Sequence, residues 1–387
     1  MTGARQRGPG SSGPLADEVA SFAREQLRPR PAPEDDAAAR REARVLLALL
    51  GEAGWCRSTV PAAFGGAMEA VSVAALCAIR EALAAASPLA DAVFALQALG
   101  SMPITLSRNE AQKRRWLPEV AAGRAMAAFA MTEPAAGSDV ASLATRATRA
   151  GDGWRLDGGK HLISNAGIAD VYTVFATVEP GAGARGIACF VVGADAPGLR
   201  FVAPQVLSEP HPLGEIAFEA CQLPGDALLG DAGAGLKLGL AALDRLRPTV
   251  AAAACGMAAR AFEEALAHAR ERVQLGRPLA EQPLVQHKLA RMATDLEAAR
   301  LLTARAAGAA DSGAARFTLE AAQAKLFATE AAWRIVDDAV QILGGRGVLA
   351  SSPVDRLYRA VRALRIYEGT SEIQHLVIAR ELLRRTS

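Results

Sequence analysis

Cysteine and histidine are scarce in this sequence, and neither occurs in a pattern that is typical of a metal site. The 387 residues contain five cysteines without a CxxC pair and five histidines without an HExxH spacing. Structural zinc and disulfide frameworks depend on such spacings or on an even number of cysteines. We therefore expect no metal and no disulfide framework, and we expect a reducing cytoplasm.

The chain also lacks an excess of charge and a long apolar run. Its formal net charge is +2 and 22% of its residues are charged, so nothing favours nucleic acid or an anionic membrane as a partner. The longest apolar run, near residues 250–259, is too short and too rich in alanine to span a bilayer. The abundance of alanine, glycine and arginine suggests a GC-rich bacterial genome.

The N-terminal residues 1–14 lack the apolar core of a secretory signal. Their two arginines would fit a transit peptide, but glycine, serine and proline dominate and no helical period is present. We predict a disordered tail over this stretch.

What is present is a clear change of pattern along the chain. Helical periodicity covers residues 15–125, short alternating runs with glycine-rich turns cover 126–232, and long helical stretches, the first predicted over 236–275, fill 233–387. Separate blocks of helices and strands favour separate domains over alternating βαβ units. We predict an α+β fold with an N-terminal helical domain, a middle antiparallel β domain and a C-terminal helix bundle.

One short motif resembles a dinucleotide-binding fingerprint and fails its test. Residues 181–186 read GAGARG, but the strand-like run IACFVV follows them. A dinucleotide site needs a helix there, because the helix N-terminus meets the pyrophosphate. We therefore interpret this stretch as a hairpin loop.

Two stretches leave predicted strands with small and hydroxyl-bearing residues. They are AMTEPAAGSD at 130–139 and KHLISNAG at 160–167. Their backbone N–H groups and hydroxyls suit a phosphate or an electron-rich ring edge, although each stretch taken alone also fits an ordinary turn.

Three further stretches close or join predicted helices. RVQLGRPL at 272–279 and QILGGRG at 341–347 suit a phosphate contact or a plain helix end. IYEGTSEIQ at 366–374 places Glu368 between an aromatic residue and a glycine. That carboxylate suits the mouth of an apolar pocket, or is a solvated glutamate in a turn.

The five motifs together, in this order and spacing, resemble the acyl-CoA dehydrogenase family of flavoenzymes from about residue 15 onward. The resemblance implies that the C-terminal domain is a four-helix bundle and that the cofactor is FAD. It implies a homotetramer, with a dimer as the alternative, and an electron acceptor such as electron-transfer flavoprotein.

The resemblance also implies which residues contact FAD. Thr132 would bond the pyrimidine edge of the flavin, and Ser164 the region of its N5. Leu162 stands where the family often has an aromatic residue. The full implied set is Phe129, Met131, Thr132, Gly137, Ser138, Leu162, Ser164, Arg272, Gln274, Gln341, Gly345, Thr370 and Glu372. Four of these would reach FAD bound mainly by a neighbouring subunit, namely Arg272, Gln274, Gln341 and Gly345.

Glu368 falls on the catalytic base of the family, and Leu246 occupies the other position where some members carry it. The resemblance implies that Glu368 removes the α-proton of an acyl thioester while a hydride leaves the β-carbon for flavin N5. Its backbone N–H would bond the thioester carbonyl. Such a base needs a raised pKa in a dry pocket.

A further set of residues is expected to contact the substrate. His211 falls where a serine is usual, inside a loop at 206–214 that departs from the family, so an acyl-carrier protein could replace CoA. The expected set is Ser138, His211, Arg247, Tyr367, Gly369 and Leu99. An oxygen-using flavin enzyme of the same fold and a catalytically silent binding protein are the alternatives.

Overall fold

The computed structural model describes residues 13–385, with the side chain of the last of these excepted. The predicted disordered tail therefore lies outside the described residues except for its last two positions. Pro14 already belongs to the first helix.

Helices fill the first third of the chain, as the periodicity predicts. Asp35 begins the second helix by accepting a hydrogen bond of 2.7 Å from the N–H of Ala38. The helices in this part are α1 (Pro14–Phe22), α2 (Asp36–Glu52), α3 (Val73–Ala86), α4 (Pro88–Leu106) and α5 (Glu110–Ala121).

Seven strands of the middle region form one sheet. They are β1 (Ala127–Ala130), β2 (Arg146–Ala150), β3 (Gly153–Ser164), β4 (Val171–Thr177), β5 (Ile187–Gly193), β6 (Leu199–Pro204) and β7 (Leu213–Leu223).

The sheet is mixed, whereas strand spacing alone predicted an antiparallel arrangement. Its order is β1-β4-β2-β3-β7-β6, with β5 paired to β4. Strand β4 runs parallel to β1 and to β2. Spacing cannot show this, because parallel pairing depends on where the chain returns to the sheet.

Helices return after residue 234, with a short hairpin between the first two. The helices are α6 (Gly235–Glu271), α7 (Pro283–Asp311), α8 (Thr318–Leu343), α9 (Pro353–Leu364) and α10 (Ser371–Arg385). The hairpin consists of β8 (Val273–Gln274) and β9 (Arg277–Pro278). The helix predicted over 236–275 ends at Glu271, because the hairpin begins there. Helix α9 was not predicted.

Residue contacts divide the chain into two compact units. The helical unit contains residues up to 31, 73–91 and those from 247 onward, and the sheet unit contains 32–72 and 92–246. Each predicted domain is one continuous stretch of the chain, whereas each compact unit combines separate stretches. The units therefore do not test the predicted domain boundaries.

The core of the helical unit is rich in alanine, which lets helices approach closely. Gly256 of α6 marks the tightest approach, since a Cβ there would lie 2.0 Å from the carbonyl oxygen of Glu81 on α3. No side chain fits at that distance, so close contact between these two helices requires glycine.

Helix α4 is the one helix within residues 13–385 that is long and apolar enough to cross a membrane. Of its apolar window, 72% is buried inside the protein. The same length and composition serve a helix in the core of a folded domain.

Candidate functional site

Two of the predicted cofactor motifs meet where strands β1 and β3 end. The backbone N–H of His161 on β3 donates to the carbonyl oxygen of Thr132, just after β1, at 2.9 Å. Phe129 on β1 is half-buried, with its ring 4.9 Å from that of Phe175 on β4. The strand ends therefore place the segment after β1 beside the end of β3.

A buried ion pair holds the segment after β1 in shape. The Lys160 ammonium, which is fully buried, donates to Glu133 at 2.6 Å and to the carbonyl of Met131 at 3.1 Å. Glu133 also accepts from the backbone N–H groups of Ala144 at 2.6 Å and Thr145 at 3.0 Å. Four bonds thus fix the backbone on both sides of Thr132.

The pKa values of Glu133 and Lys160 depend on burial and on the charge of the partner. Burial opposes ionisation of Glu133, but Lys160 and the two N–H donors hold the pKa of that carboxyl below its ordinary value. Burial lowers the pKa of Lys160 to about 8, against the attraction of Glu133. Both residues stand inside the quoted motifs, but their role was missed because burial cannot be read from a motif.

The residues that follow this ion pair are open to a ligand. Gly137 and Ser138 are exposed, and a Cβ added to Gly137 would meet nothing within 4 Å. Thr132 is half-exposed, while the side chain of Met131 is buried. The segment therefore offers the hydroxyls of Thr132 and Ser138 and a stretch of accessible backbone.

The end of β3 adds the apolar side chain of Leu162 and a third hydroxyl, that of Ser164. Leu162 has a left-handed φ of 55° and is 49% exposed, and its N–H donates to Gln205 at 2.7 Å. Left-handed backbone is unusual for leucine. Here it presents an apolar side chain where burial would be normal, which fits contact with a planar ring.

The predicted substrate contact His211 pairs instead with a predicted cofactor contact. Its Nε2 lies 2.8 Å from Oγ of Ser164. Burial, and then the charge of Arg40, lowers the pKa of His211 to about 4, so the ring is neutral near pH 7. Its Nδ1 is buried and has no hydrogen-bond partner within residues 13–385.

These features of the sheet unit fit the flavin of FAD. Three hydroxyls, accessible backbone and an exposed leucine match the polar edge, the phosphates and the apolar face of such a cofactor. The predicted members with these features are Phe129, Thr132, Gly137, Ser138, Leu162 and Ser164.

The helical unit contains the turn that carries Glu368, between α9 and α10. Glu368 has a φ of 54° and Gly369 a φ of 94°, so two successive residues are left-handed. Their carbonyl oxygens accept several hydrogen bonds. Arg247 donates to that of Glu368 at 3.2 Å, and Lys325 to that of Gly369 at 2.7 Å. Gln374 donates to both, at 3.3 and 3.0 Å.

The Glu368 carboxyl has the electrostatic surroundings of a base. It is half-buried, and its Oε2 is buried without a hydrogen-bond partner in the described part of the chain. Burial raises its pKa, and Asp91 adds to the rise, whereas Arg80, Arg247 and Lys325 oppose it. The net effect is a raised pKa.

A second buried ion pair lies behind this turn. Arg80 on α3 donates twice to Asp91, at 2.8 Å each, and once to Thr249 at 2.9 Å. Arg80 also donates to the Tyr367 hydroxyl oxygen, and burial raises the pKa of that hydroxyl. The sequence drew no attention to Arg80 or Asp91, since a lone arginine and aspartate eleven residues apart form no motif.

The remaining predicted residues lie elsewhere on the units. In the sheet unit Leu99 is buried on α4, and Leu246 is buried on α6. In the helical unit the Thr370 hydroxyl accepts from the N–H of Ile373 at 3.3 Å. The five others are exposed on the helical unit: Arg272, Gln274, Gln341, Gly345 and Glu372.

Comparison with known proteins gives one consistent family. Family models for the acyl-CoA dehydrogenase N-terminal, middle and C-terminal domains match residues 14–124, 128–221 and 233–383. A probable acyl-CoA dehydrogenase of Mycobacterium tuberculosis is 37% identical over 373 residues, which cover 96% of this chain and 95% of that protein.

Two solved structures extend the likeness to the fold. Butyryl-CoA dehydrogenase from Megasphaera elsdenii matches with a TM-score of 0.90 and 31% identity, over 96% of this chain and 99% of that one. The prolyl acyl carrier protein oxidase AnaB matches with a TM-score of 0.87 and 30% identity, over 95% and 97%.

Proposed function

The chain belongs to the acyl-CoA dehydrogenase family, and we propose from this premise that it converts an acyl thioester into the 2-enoyl thioester. The family consists of FAD-dependent oxidoreductases that act on CH–CH groups, so the chain is an oxidoreductase of this type. FAD, when bound, would accept the β-hydride at N5.

We assign the removal of the α-proton to Glu368. The observation that carries this assignment is a carboxyl with a raised pKa and a buried, unbonded oxygen. A base matched to a weakly acidic proton needs a raised pKa, but it must stay ionised to accept the proton. Desolvation supplies the first condition, and the cations Arg80, Arg247 and Lys325 supply the second.

The backbone N–H of Glu368 is the proposed donor to the thioester carbonyl. A hydrogen bond there stabilises the negative charge that develops on the oxygen when the α-proton leaves. Base and donor then belong to one residue, so any shift of the turn disturbs both. Tyr367 and Gly369 flank Glu368 and, with Arg247, are the proposed substrate contacts of the helical unit. Ser138 and Leu99 are the substrate contacts proposed for the sheet unit.

The strand-end residues of the sheet unit are the proposed flavin contacts. Thr132 would bond the pyrimidine edge, and Ser164 would bond the region of N5. Leu162 would cover part of the ring, and the backbone at Gly137 and Ser138 would meet the phosphates. The neutral ring of His211 would orient the Ser164 hydroxyl.

We propose that FAD is shared between subunits of a homotetramer or dimer. Arg272, Gln274, Gln341 and Gly345 are exposed, which suits contact with a cofactor held mainly by a second copy. Thr370 and Glu372 would meet its adenosine diphosphate portion. FAD content and molar mass measured together on dilution test this idea, which fails if monomers retain full FAD.

We propose an acyl-CoA as the first candidate substrate and electron-transfer flavoprotein as the first candidate electron acceptor. Similarity to an acyl carrier protein oxidase keeps an acyl-carrier thioester, and oxygen as the acceptor, as the second candidate. The five cysteines are free and buried in the structure, which suits a cytoplasmic location.

Anaerobic reduction of the flavin across a panel of acyl-CoA and acyl-carrier thioesters tests the proposal. We expect at least one thioester to bleach the yellow wild-type protein. Glu368→Gln should retain FAD and lose the bleaching, because the amide cannot take the proton. Bleaching of this variant at the wild-type rate would exclude Glu368 as the base.

A further inference from the structure

We infer that Lys325 and Gln374 are positioning residues that hold the Glu368–Gly369 turn in its left-handed shape. This inference rests on the proposed role of Glu368 as the base. Neither residue was assigned a role by the sequence motifs.

The turn needs external support because its shape is strained. A non-glycine residue with a φ of 54° is unfavourable, and such strain persists only where the surroundings impose it. The two accepting carbonyls belong to consecutive peptide groups, those that follow Glu368 and Gly369. Fixing both peptide planes fixes the direction in which the Glu368 side chain leaves the backbone.

Lys325 is placed for this task and is poorly explained by packing. Its side chain is fully buried on α8, three residues from the buried Ala322 and Ala328. Burying an ammonium costs free energy, which an apolar side chain of similar length would avoid. The Lys325 ammonium donates to the carbonyl oxygen of Gly369 at 2.7 Å.

Gln374 holds the same turn from α10. Its side chain is fully buried, and its Nε2 donates to the carbonyls of both Glu368 and Gly369. A Cβ added to Gly369 would lie 2.6 Å from that nitrogen. Lys325 and Gln374 thus approach the turn from two different helices and meet at one carbonyl.

Lys325 has a second effect on Glu368, through charge. Its ammonium is among the cations that lower the pKa of Glu368 against burial. Burial lowers the pKa of Lys325 to about 8, so the lysine is charged below that pH. The neutral Gln374 supplies hydrogen bonds alone. Substitution of Gln374 therefore changes only the geometry of the turn, whereas substitution of Lys325 changes its geometry and the charge near Glu368.

The experiment measures anaerobic flavin reduction by the full-length FAD-loaded protein from about pH 5.5 to 7.5. The substrate is butyryl-CoA, or whichever panel thioester reduces the wild type. Lys325→Met should lower the rate constant at saturating substrate about 10–100-fold, since a base displaced by ~1 Å loses that much. The acid limb of the curve of rate constant against pH should move to higher pH by about one unit.

Two further variants divide the effect. Lys325→Arg keeps the charge and should leave the acid limb in place while the rate constant falls. Gln374→Leu should lower the rate constant without moving the limb, and it decides the matter if Lys325→Met does not fold. Folded, FAD-loaded variants at both positions with wild-type rate constants and profiles would overturn the inference.

Lys288→Met is the matched control. Lys288 on α7 bonds the buried Asp338 on α8, and it is not part of the turn. This variant should lose thermal stability and keep the wild-type rate constant and acid limb. An equal fall in rate constant would assign the effect to general loss of stability and overturn the inference.

The Glu368→Gln variant separates this inference from the proposed function. If Glu368→Gln still reduces its flavin, the base assignment fails and the inference fails with it. If Glu368→Gln is inactive while the Lys325 and Gln374 variants behave as wild type, only the positioning role is wrong.

Discussion

The hydroxyl of Ser164 and the Nε2 of His211 lie 2.8 Å apart, although 47 residues separate them in the chain. The pair joins the end of β3 to the loop at 206–214, which the sequence predicts to depart from the family. This loop therefore contacts Ser164, a proposed cofactor contact.

His211 should make the protein sensitive to mild acid. Its folded pKa is lowered from 6.5 to about 4, so the unfolded chain takes up a proton at higher pH than the folded protein does. Stability should then fall as pH drops from about 6.5 to 4. His211→Gln should flatten this part of the curve of melting temperature against pH.

The exposed His375 provides the control for this measurement. His375→Gln should leave the slope of the curve as in the wild type. A His211→Gln curve as steep as the wild-type curve would contradict the buried, neutral histidine.

Breaking the Lys160–Glu133 pair should be costly. Lys160→Met leaves a buried carboxylate without its cation, and such losses amount to about 3–5 kcal/mol. The free energy of unfolding by urea measures this loss, and FAD content should fall because the segment around Thr132 loosens. Adding Glu133→Gln should recover part of the loss, since no charge then stays unpaired. A double variant no better than Lys160→Met would count against the pair.

Gly369→Ala should damage the turn more than an ordinary glycine substitution. A left-handed φ of 94° and the contact with Gln374 both oppose a Cβ, and we expect a loss of about 1–3 kcal/mol and a slower flavin reduction. Gly308→Ala, at an exposed position of α7 with open space around it, should instead stabilise the protein by about 0.5–1 kcal/mol. Equal effects of the two substitutions would refute the strained turn.

Asp91→Asn should move the acid limb of flavin reduction to lower pH. Asp91 raises the pKa of Glu368, so removing its charge should lower that pKa, the opposite of the shift expected for Lys325→Met. The variant should also lose stability, because Arg80 stays buried without its partner. Asp338→Asn, which removes another buried aspartate, should lose stability without any shift of the limb.

Helix α8 shows how much local pattern can predict. The apolar residues repeat with helical period and predict a helix over 317–343, and the observed helix starts a single residue later. Helix α9 was missed although its apolar residues Val354, Leu357, Val361 and Leu364 repeat with the same period. Several arginines separate these residues and dilute the signal within a short segment.

The sequence by itself determined the family and the order of helices and strands, and it singled out Glu368, the carboxylate that we propose as the base. Those features depend on residue types and on spacings of a few residues. Only the tertiary structure decided that β4 runs parallel to β1, that His211 meets Ser164, and that Lys325 and Gln374 converge on the Glu368 turn. Each of these joins residues distant in the chain, and burial, which sets the pKa of Glu368, arises only when such segments pack together.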